Sequence, residues 1–441
     1  MLDVLQNRTY RHLFAAQVIA LLGTGLATVA LGLLAFELAG EQAGLVLGTA
    51  LAIKMVAYVG VAPVAAALAQ NLPRRAVLVG LDLVRAAVAL LLPFVDQVWQ
   101  IYVLIFVLQS ASAAFTPTFQ ATVPDVLPDE RDYTKALSLS RLAYDLESLL
   151  SPMLAAALLT VIGSHDLFAG TVLGFIASAL LVVSVSLPAS PDAQRRGIDE
   201  RTTRGLRIYL ATPRLRGLLA INAAVAAAGS MVIVNTVVLV QAQWALPQNA
   251  LALALSAFGA GSMVAALALP RLLNRWPDRP VMLGGVAILS AAMLLGSLLT
   301  GYAGLLALWA LAGLAYSAAQ TPSGRLLKRS SHPADRPALF AAQFALSHAC
   351  WLLFYPLAGW AGARWGIPAT FVLLGLCAAL AGLAAQRLWP RDDPDALEHG
   401  HGDLPPDDPH LLEHHKGAQG ARHTHPFWID DQHRHWPESG R

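Results

Sequence analysis

The sequence is poor in charge and nearly devoid of cysteine. Only 13% of its 441 residues are Asp, Glu, Lys or Arg, against roughly 25% in soluble globular chains, which excludes an ordinary water-soluble domain. The two cysteines, Cys350 and Cys377, both fall in apolar stretches, so no disulfide framework is expected. Lysine is scarce, with four residues against twenty-six arginines. There is no Gly-rich phosphate-binding loop and no nucleophile–base constellation, so an enzyme is not expected and nucleotide hydrolysis is not the energy source. No resident cofactor and no nucleic-acid partner are indicated.

What fills the chain instead is apolar residues, 56% of the total, with a mean hydropathy of +0.55. They come in blocks of about twenty, the length that crosses a bilayer core as a helix. The pattern predicts an all-α membrane protein with twelve spans, roughly 13–37, 43–69, 76–95, 99–118, 137–162, 167–187, 217–241, 249–272, 280–300, 303–322, 338–362 and 367–388. The first block is too long for a cleaved signal segment and reads as a retained helix.

The chain also repeats itself. Thr116-Pro117, the charged turn Asp129-Glu130-Arg131 and an apolar helix reaching Pro152 recur as Thr321-Pro322, Asp335-Arg336 and a helix reaching Pro356. An offset of about 205 residues between two such stretches predicts two pseudo-symmetric six-helix halves with a pathway between them. The expected division is an N-terminal half over 1–187, a basic linker over 188–216, a C-terminal half over 217–389 and a polar tail over 390–441. Arg and Lys crowd one set of loops, from Arg8 and Arg11 through Arg74 and Arg75 to Arg387 and Arg391. The positive-inside rule then puts both termini and the linker in the cytoplasm. The linker, with seven arginines and interspersed Ile198, Leu206, Ile208, Tyr209 and Leu210, reads as a basic amphipathic segment on the lipid surface.

Ionisable residues at bilayer depth are costly and mark functional candidates. Lys54 lies mid-way along the second span, and Arg141, Asp145 and Glu147 lie on the fifth. Arg141 and Asp145 are four apart and share a helix face. His348, on the eleventh span, falls near the pseudo-symmetric mate of Asp145. Imidazole and carboxylate facing one cavity suit a proton relay or a divalent-cation path; the alternative is an ion-pair cluster that only holds helices together. Asn222, Asn235, Gln109, Gln320 and Gln343 are weaker candidates, for which interhelical hydrogen bonding is the simpler reading.

The turn after the second span runs Ala65-Ala66-Ala67-Leu68-Ala69-Gln70-Asn71-Leu72-Pro73-Arg74-Arg75, and the third span opens with Asp82-Leu83-Val84-Arg85-Ala86. With twelve spans and a long central loop, these residues give a chain that resembles the major facilitator superfamily. Within it, the resemblance is to bacterial proton-driven exporters related to enterobactin and macrolide efflux proteins. It implies a monomer in the bacterial inner membrane and a gate at the basic turn, with Arg74, Arg75, Asp82 and Arg85 as its candidates. Here the family's turn Asp and Arg are replaced by Gln70 and Asn71. The family's charged latch loses its charge assistance, and Asp82 and Arg85 either carry the gate charge or form a plain helix-end salt bridge.

From Arg391 the composition changes. The last 51 residues hold nine of the thirteen histidines, eleven acidic residues and few apolar ones, so most of this stretch is expected to be disordered when free. His399, His401, His410, His414, His415, His423, His425, His433 and His435, with nearby carboxylates, read as an exchangeable site for borderline metals. The closing aromatics, Phe427, Trp428 and Trp436, give this end a means of docking on the cytoplasmic face or the membrane. An exporter body with such a tail resembles the nickel-resistance exporters of the same superfamily. That resemblance implies export of divalent metal, chiefly Ni²⁺, in exchange for protons. The rivals are export of an amphipathic organic compound and a membrane metal sensor.

Overall fold

Asn7 begins the first long helix by accepting a hydrogen bond from the Tyr10 backbone N–H at 3.0 Å, one of the four amides a helix start leaves unpaired. The computed structural model describes residues 1–40, 43–69, 72–188, 198–394, 396–400, 422–433 and 435–437. Its long helices are α1 (Arg8–Ala39), α2 (Ala43–Ala69), α3 (Arg74–Leu91), α4 (Val98–Val126), α5 (Glu130–Leu158), α6 (Leu167–Val183), α8 (Pro213–Val237), α9 (Gln248–Leu273), α10 (Asp278–Gly296), α11 (Tyr302–Gln320), α13 (Arg336–Trp365) and α14 (Ile367–Leu388). Two short helices join them, α7 (Ile198–Ala211) in the linker and α12 (Ser323–Arg329) after α11. Among the described residues, ten helices are long and apolar enough to cross a membrane, and α6 is a shorter apolar one. The remaining expected span, α5, carries too many charges along its length to meet the same measure. The chain is an all-α, multi-pass membrane protein.

Packing inside the two halves follows one plan. In the first, α1 packs on α5 and α6, α2 on α4, and α3 on α4 and α6. In the second, α8 packs on α13 and α14, α9 on α11, and α10 on α11 and α14. The duplicated sequence thus folds twice into the same arrangement. Between the halves, α2 meets α13 and α5 meets α9, two seams that exchange under the pseudo-symmetry. The repeat is imperfect where it was easiest to see. Pro117 lies inside α4, which continues to Val126, whereas α11 ends at Gln320 before Thr321-Pro322 and the chain restarts as α12. The fourth span is therefore longer than the expected 99–118. The fifth begins at Glu130, not 137, because Asp129 caps it by accepting from the amides of Arg131 and Asp132.

Some helices touch backbone to backbone. A Cβ added to Gly313 on α11 would lie 1.8 Å from the Phe258 carbonyl oxygen, and one on Gly261 of α9 would lie 1.9 Å from that of Ala310. Small residues allow such approach where no apolar driving force separates helix from lipid. Gly313→Ala is expected to push α11 off α9 and to cost about 1–3 kcal/mol, the usual range for overpacking. Thermal unfolding in detergent measures it, with Gly284→Ala, whose Cβ meets nothing within 4 Å, as the control.

The linker does not behave as a lipid-surface segment. Helix α7 packs on α13 and α2. Ile208 and Tyr209 are buried, and Gly205 lets α7 approach so closely that a Cβ there would sit 2.0 Å from the Ala338 carbonyl oxygen. Tyr209 donates to Gln343 at 2.5 Å. Buried Arg204 donates through Nε and Nη2 to Asp335 at 2.5 and 2.9 Å, and through Nη1 to Asp431 at 2.7 Å. Burial opposes its charge, but the two carboxylates prevail and raise its pKa. Basic residues expected to face anionic lipid here face carboxylates of the protein. Arg195 and Arg196 lie outside the described residues.

The closing segment of the tail docks on the body, as its aromatics suggested. Strands β1 (Ala396–Gly400) and β2 (Arg422–Pro426) pair antiparallel, and the chain after them enters the body. Phe427 and Ile429 are buried in the core of the C-terminal half. Trp436 lies beneath the Arg214 guanidinium at 5.1 Å, and Trp428 packs 5.7 Å from the His332 ring. Asp393 accepts from Arg329 at 2.5 Å and from the Trp389 indole at 2.9 Å, and pairs with Arg214 at 3.0 Å.

Candidate functional site

Two clusters occupy the seams between the halves. On α5, Asp145 is buried near the middle of the 29-residue helix. Arg141, one turn before it, grips it through two hydrogen bonds, one from Nε at 3.2 Å and a shorter one from Nη2. The same Nε reaches across to Ser262 Oγ on α9 at 2.9 Å, and the guanidinium lies 4.7 Å over the Tyr316 ring of α11. The pair is therefore a bridge between the halves as well as an ion pair within α5. Glu147, half-buried, accepts from Ser151 at 3.5 Å and feels the charge of Lys54.

At the other seam, Lys54 stands 5.4 Å over the Tyr58 ring on α2. Tyr58 donates to Gln109 at 3.0 Å and meets two rings of α13, His348 at 4.7 Å and Phe344 at 4.9 Å. His348 Nδ1 lies 2.7 Å from the Phe344 carbonyl oxygen, so this nitrogen donates. The structure thus puts Asp145 on the α5–α9 seam and His348 on the α2–α13 seam. The sequence offset had suggested a single facing pair. The other intramembrane amides bond between helices: Asn222 to Gln343 at 3.3 Å and Asn235 to the Ala358 carbonyl at 3.1 Å.

On the basic face, the halves are tied by charge. Arg74 Nη1 donates to Asp125 Oδ2 at 2.5 Å, and the other oxygen of Asp125 accepts from Arg336. Arg74 starts α3 and Asp125 ends α4 in the first half, while Arg336 starts α13 in the second. Arg325 on α12 makes a second tie. It pairs with Glu130 at 2.6 Å and Asp278 at 2.9 Å and donates to Thr134 at 2.7 Å. Lys328 donates to the Pro128 carbonyl at 2.6 Å.

Of the gate residues suggested by the motif, Arg74 belongs to this seal and Arg75 is exposed. Asp82 and Arg85 lie elsewhere. They pair in the interior of the N-terminal half, where Ser178 of α6 donates to Asp82 at 2.8 Å. The Arg85 guanidinium sits between the Phe115 and Phe175 rings at 4.1 and 4.5 Å. Their position is that of a clasp joining α3, α4 and α6. Gln70 and Asn71 lie outside the described residues.

Comparison with known proteins decides the family. The family model of the Major Facilitator Superfamily matches residues 13–223 and again 219–428. The chain belongs to this superfamily. It is accordingly a transporter rather than an enzyme. Macrolide efflux protein A of Streptococcus pyogenes is 25% identical over 215 residues, 47% of this chain and 52% of that protein. Macrolide efflux protein A of Enterococcus faecalis is 26% identical over 186 residues, covering 40% and 57%. The matched region spans about half the length of these relatives. Among solved structures, the human organic anion transporter MFSD10 (TETRAN) superposes with a TM-score of 0.75 at 13% identity, over 86% of this chain and 99% of that one. A bacterial homologue of the iron transporter ferroportin in an outward-facing state gives 0.71 at 14%, over 86% and 99%. At these identities the structures establish the fold alone.

For a superfamily member, the residues missed by sequence reading are instructive. Asp125, Arg336, Ser262, Tyr316 and Tyr58 complete the seams, yet each is an ordinary residue in its local sequence. Only the repeat, which aligns the start of α13 with that of α5, hinted at Arg336. Of the tail histidines, His401, His410, His414 and His415 lie outside the described residues, and His399 and His423 are placed by their backbone. His425 and His433 are buried, and His435 is exposed. Among the described residues, no group of three His, Cys, Asp or Glu side chains stands ready to hold a metal ion.

Proposed function

We propose that this chain is a proton-driven exporter of divalent metal cations, Ni²⁺ foremost, in a bacterial inner membrane, with both termini and the basic face cytoplasmic. The observation that carries the reading is the tail: a segment with nine imidazoles is anchored by Phe427 and Ile429 on the face from which an exporter loads. Neutral imidazole with carboxylate suits borderline divalent ions. A sealed basic face is what an exporter needs in the state that releases its cargo to the far side and takes up a proton. Glu147 is the proton carrier in this scheme. Asp145 is already neutralised by Arg141 and serves to link α5 to α9.

A second reading is favoured by one observation. Tyr58, Phe344 and His348 form an aromatic group beside Lys54, which suits a flat amphipathic organic molecule better than a bare cation. The relatives named for macrolide efflux point the same way.

The test is uptake of radioactive nickel into inside-out vesicles with an acidic interior. Metal–proton exchange gives accumulation that stops when the gradient is collapsed and falls at least tenfold in Glu147→Gln. No accumulation above empty vesicles for nickel, cobalt or zinc sinks the metal reading, and a labelled macrolide then takes its place in the assay. Removing residues 391–441 separates the readings further: metal export weakens or loses selectivity, whereas export of an organic compound is unchanged.

A further inference from the structure

Charge on the basic face is distributed unevenly. The arginines of the seal, the linker and the tail contacts are engaged by carboxylates, as with Arg74, Arg204, Arg214, Arg325, Arg329 and Arg336. At one corner of the second half they are not. Arg216 on the first turn of α8, Arg275 just before α10, and Arg387 and Arg391 at the end of α14 are exposed. None of these four pairs with a carboxylate among the described residues.

The fold brings the four to one place. Helix α14 packs on both α8 and α10. A Cβ on Gly217, next to Arg216, would lie 2.7 Å from the Trp389 Cβ, and Trp389 stands midway between Arg387 and Arg391 in the chain. Arg279, on the first turn of α10 after Arg275, donates to the carbonyl oxygens of Trp389 and Gln386 at 3.0 and 2.9 Å. It thereby closes the end of α14, where the last carbonyls lack helical partners, and the four exposed arginines are not needed for that. The neighbouring carboxylates are taken, Asp393 by Arg214 and Arg329 and Asp278 by Arg325. Exposed Asp392 offsets one charge of the four.

Apolar surface adjoins this charge. Trp276 follows Arg275 and Leu388 follows Arg387, and both are exposed, as is Leu383 one turn before Arg387. An exposed Trp at the end of an apolar helix sits at the level of lipid headgroups. Guanidinium groups grip phosphate oxygens through paired N–H donors, and basic pockets between membrane helices suit anionic headgroups. We infer that this corner binds one anionic phospholipid, its phosphate held by Arg216, Arg275, Arg387 and Arg391 and its acyl chains along Leu383 and Leu388. The anionic lipid expected at the linker is met here instead. Because α8, α10 and α14 belong to one half, the lipid joins three helices without crossing a seam and travels with that half when the two move.

The experiment uses the full-length protein, freed of lipid in a neutral detergent, with phosphatidylglycerol, phosphatidylcholine or inorganic phosphate added. Native mass spectrometry counts the lipid retained, and thermal unfolding reports its effect. One phosphatidylglycerol is expected to be retained and to raise the melting temperature, whereas phosphatidylcholine and inorganic phosphate do neither. Arg275→Gln with Arg387→Gln weakens retention about 30-fold, at about fivefold for each basic residue near an anionic headgroup. Arg8→Gln with Arg11→Gln removes the same charge from the exposed start of α1 and leaves retention unchanged. Equal weakening by both pairs marks a diffuse attraction and overturns the site. So does an equal rise in melting temperature with inorganic phosphate, which makes the corner a free-anion site, or equal retention of phosphatidylcholine, which needs no arginine. Should the first pair fail to fold, the wild type alone decides: a graded ladder of weakly held phosphatidylglycerol, in place of one retained molecule, overturns the proposal.

Discussion

Asp125→Asn is expected to unseal the basic face. One carboxylate there serves two largely buried arginines, Arg74 from the first half and Arg336 from the second. Removing it takes away the carboxylate that the two guanidinium groups share and leaves their like charges side by side. Breaking a buried pair in this way costs about 3–5 kcal/mol, because the remaining charge is uncompensated. Most of that cost falls on the sealed state, since the arginines part and regain water when the halves swing open. A shift of that size is at least 100-fold in the ratio of the two states. Spin labels on the exposed ends of α3 and α10 should show the distance between halves lengthen on the basic face, and efflux should fall with it. Asp125→Glu, which keeps the charge, should recover most of both. An unchanged distance in Asp125→Asn would mean that Arg325 and Lys328 hold the seal by themselves.

The second large effect concerns the bridge at the α5–α9 seam. Arg141→Ala strands Asp145 as a buried carboxylate, and again about 3–5 kcal/mol is at stake. Transport should be lost and the melting temperature in detergent should drop. Joining it with Asp145→Asn removes the stranded charge, and the double variant separates two roles. If the pair only ties helices, stability returns and transport returns with it. If the pair takes part in the transport cycle, stability returns and transport does not. The coupling energy from such a cycle isolates the pair from its surroundings, and Ser262→Ala reports the contribution of the contact across the seam.

Much of this architecture was legible in the sequence because the bilayer simplifies the code. Length and apolarity mark a span whatever its neighbours, and the Arg-rich loops stand out against a body with few charges. The duplication predicted two halves, and the packing of α1–α6 repeats in α8–α14. Single residues were harder. Arg141 and Asp145 announced themselves by spacing, but Ser262 and Tyr316 are brought to them only by the meeting of α5 with α9 and α11. Asp82 and Arg85 carry a strong motif, yet the motif does not say that Ser178 and two phenylalanine rings enclose them. The linker was misjudged because its arginines were assigned to anionic lipid, whereas Arg204 meets Asp335 and Asp431 of the protein. Arg204 shows the error, since a charged residue between two carboxylates contributes to folding as a core residue does.

The glycine contacts carry a consequence for how this transporter can change over generations. Within the halves, helices touch through backbone, at Gly313 and Gly261 in one and at Gly23 and Gly174 in the other, where added Cβ atoms would lie 3.2–3.3 Å from carbonyl oxygens. Gly313 and Gly261 admit almost no variation, and Gly23 and Gly174 admit a Cβ only where a neighbour gives by a few tenths of an ångström. The seams between halves are built from side chains such as Lys54, Tyr58, Ser262 and His348, whose exchange does not press one helix backbone against another. Heritable variation is thereby channelled to the side chains of the seams. A lineage with this scaffold can move from one substrate to another by small steps while its folding remains intact.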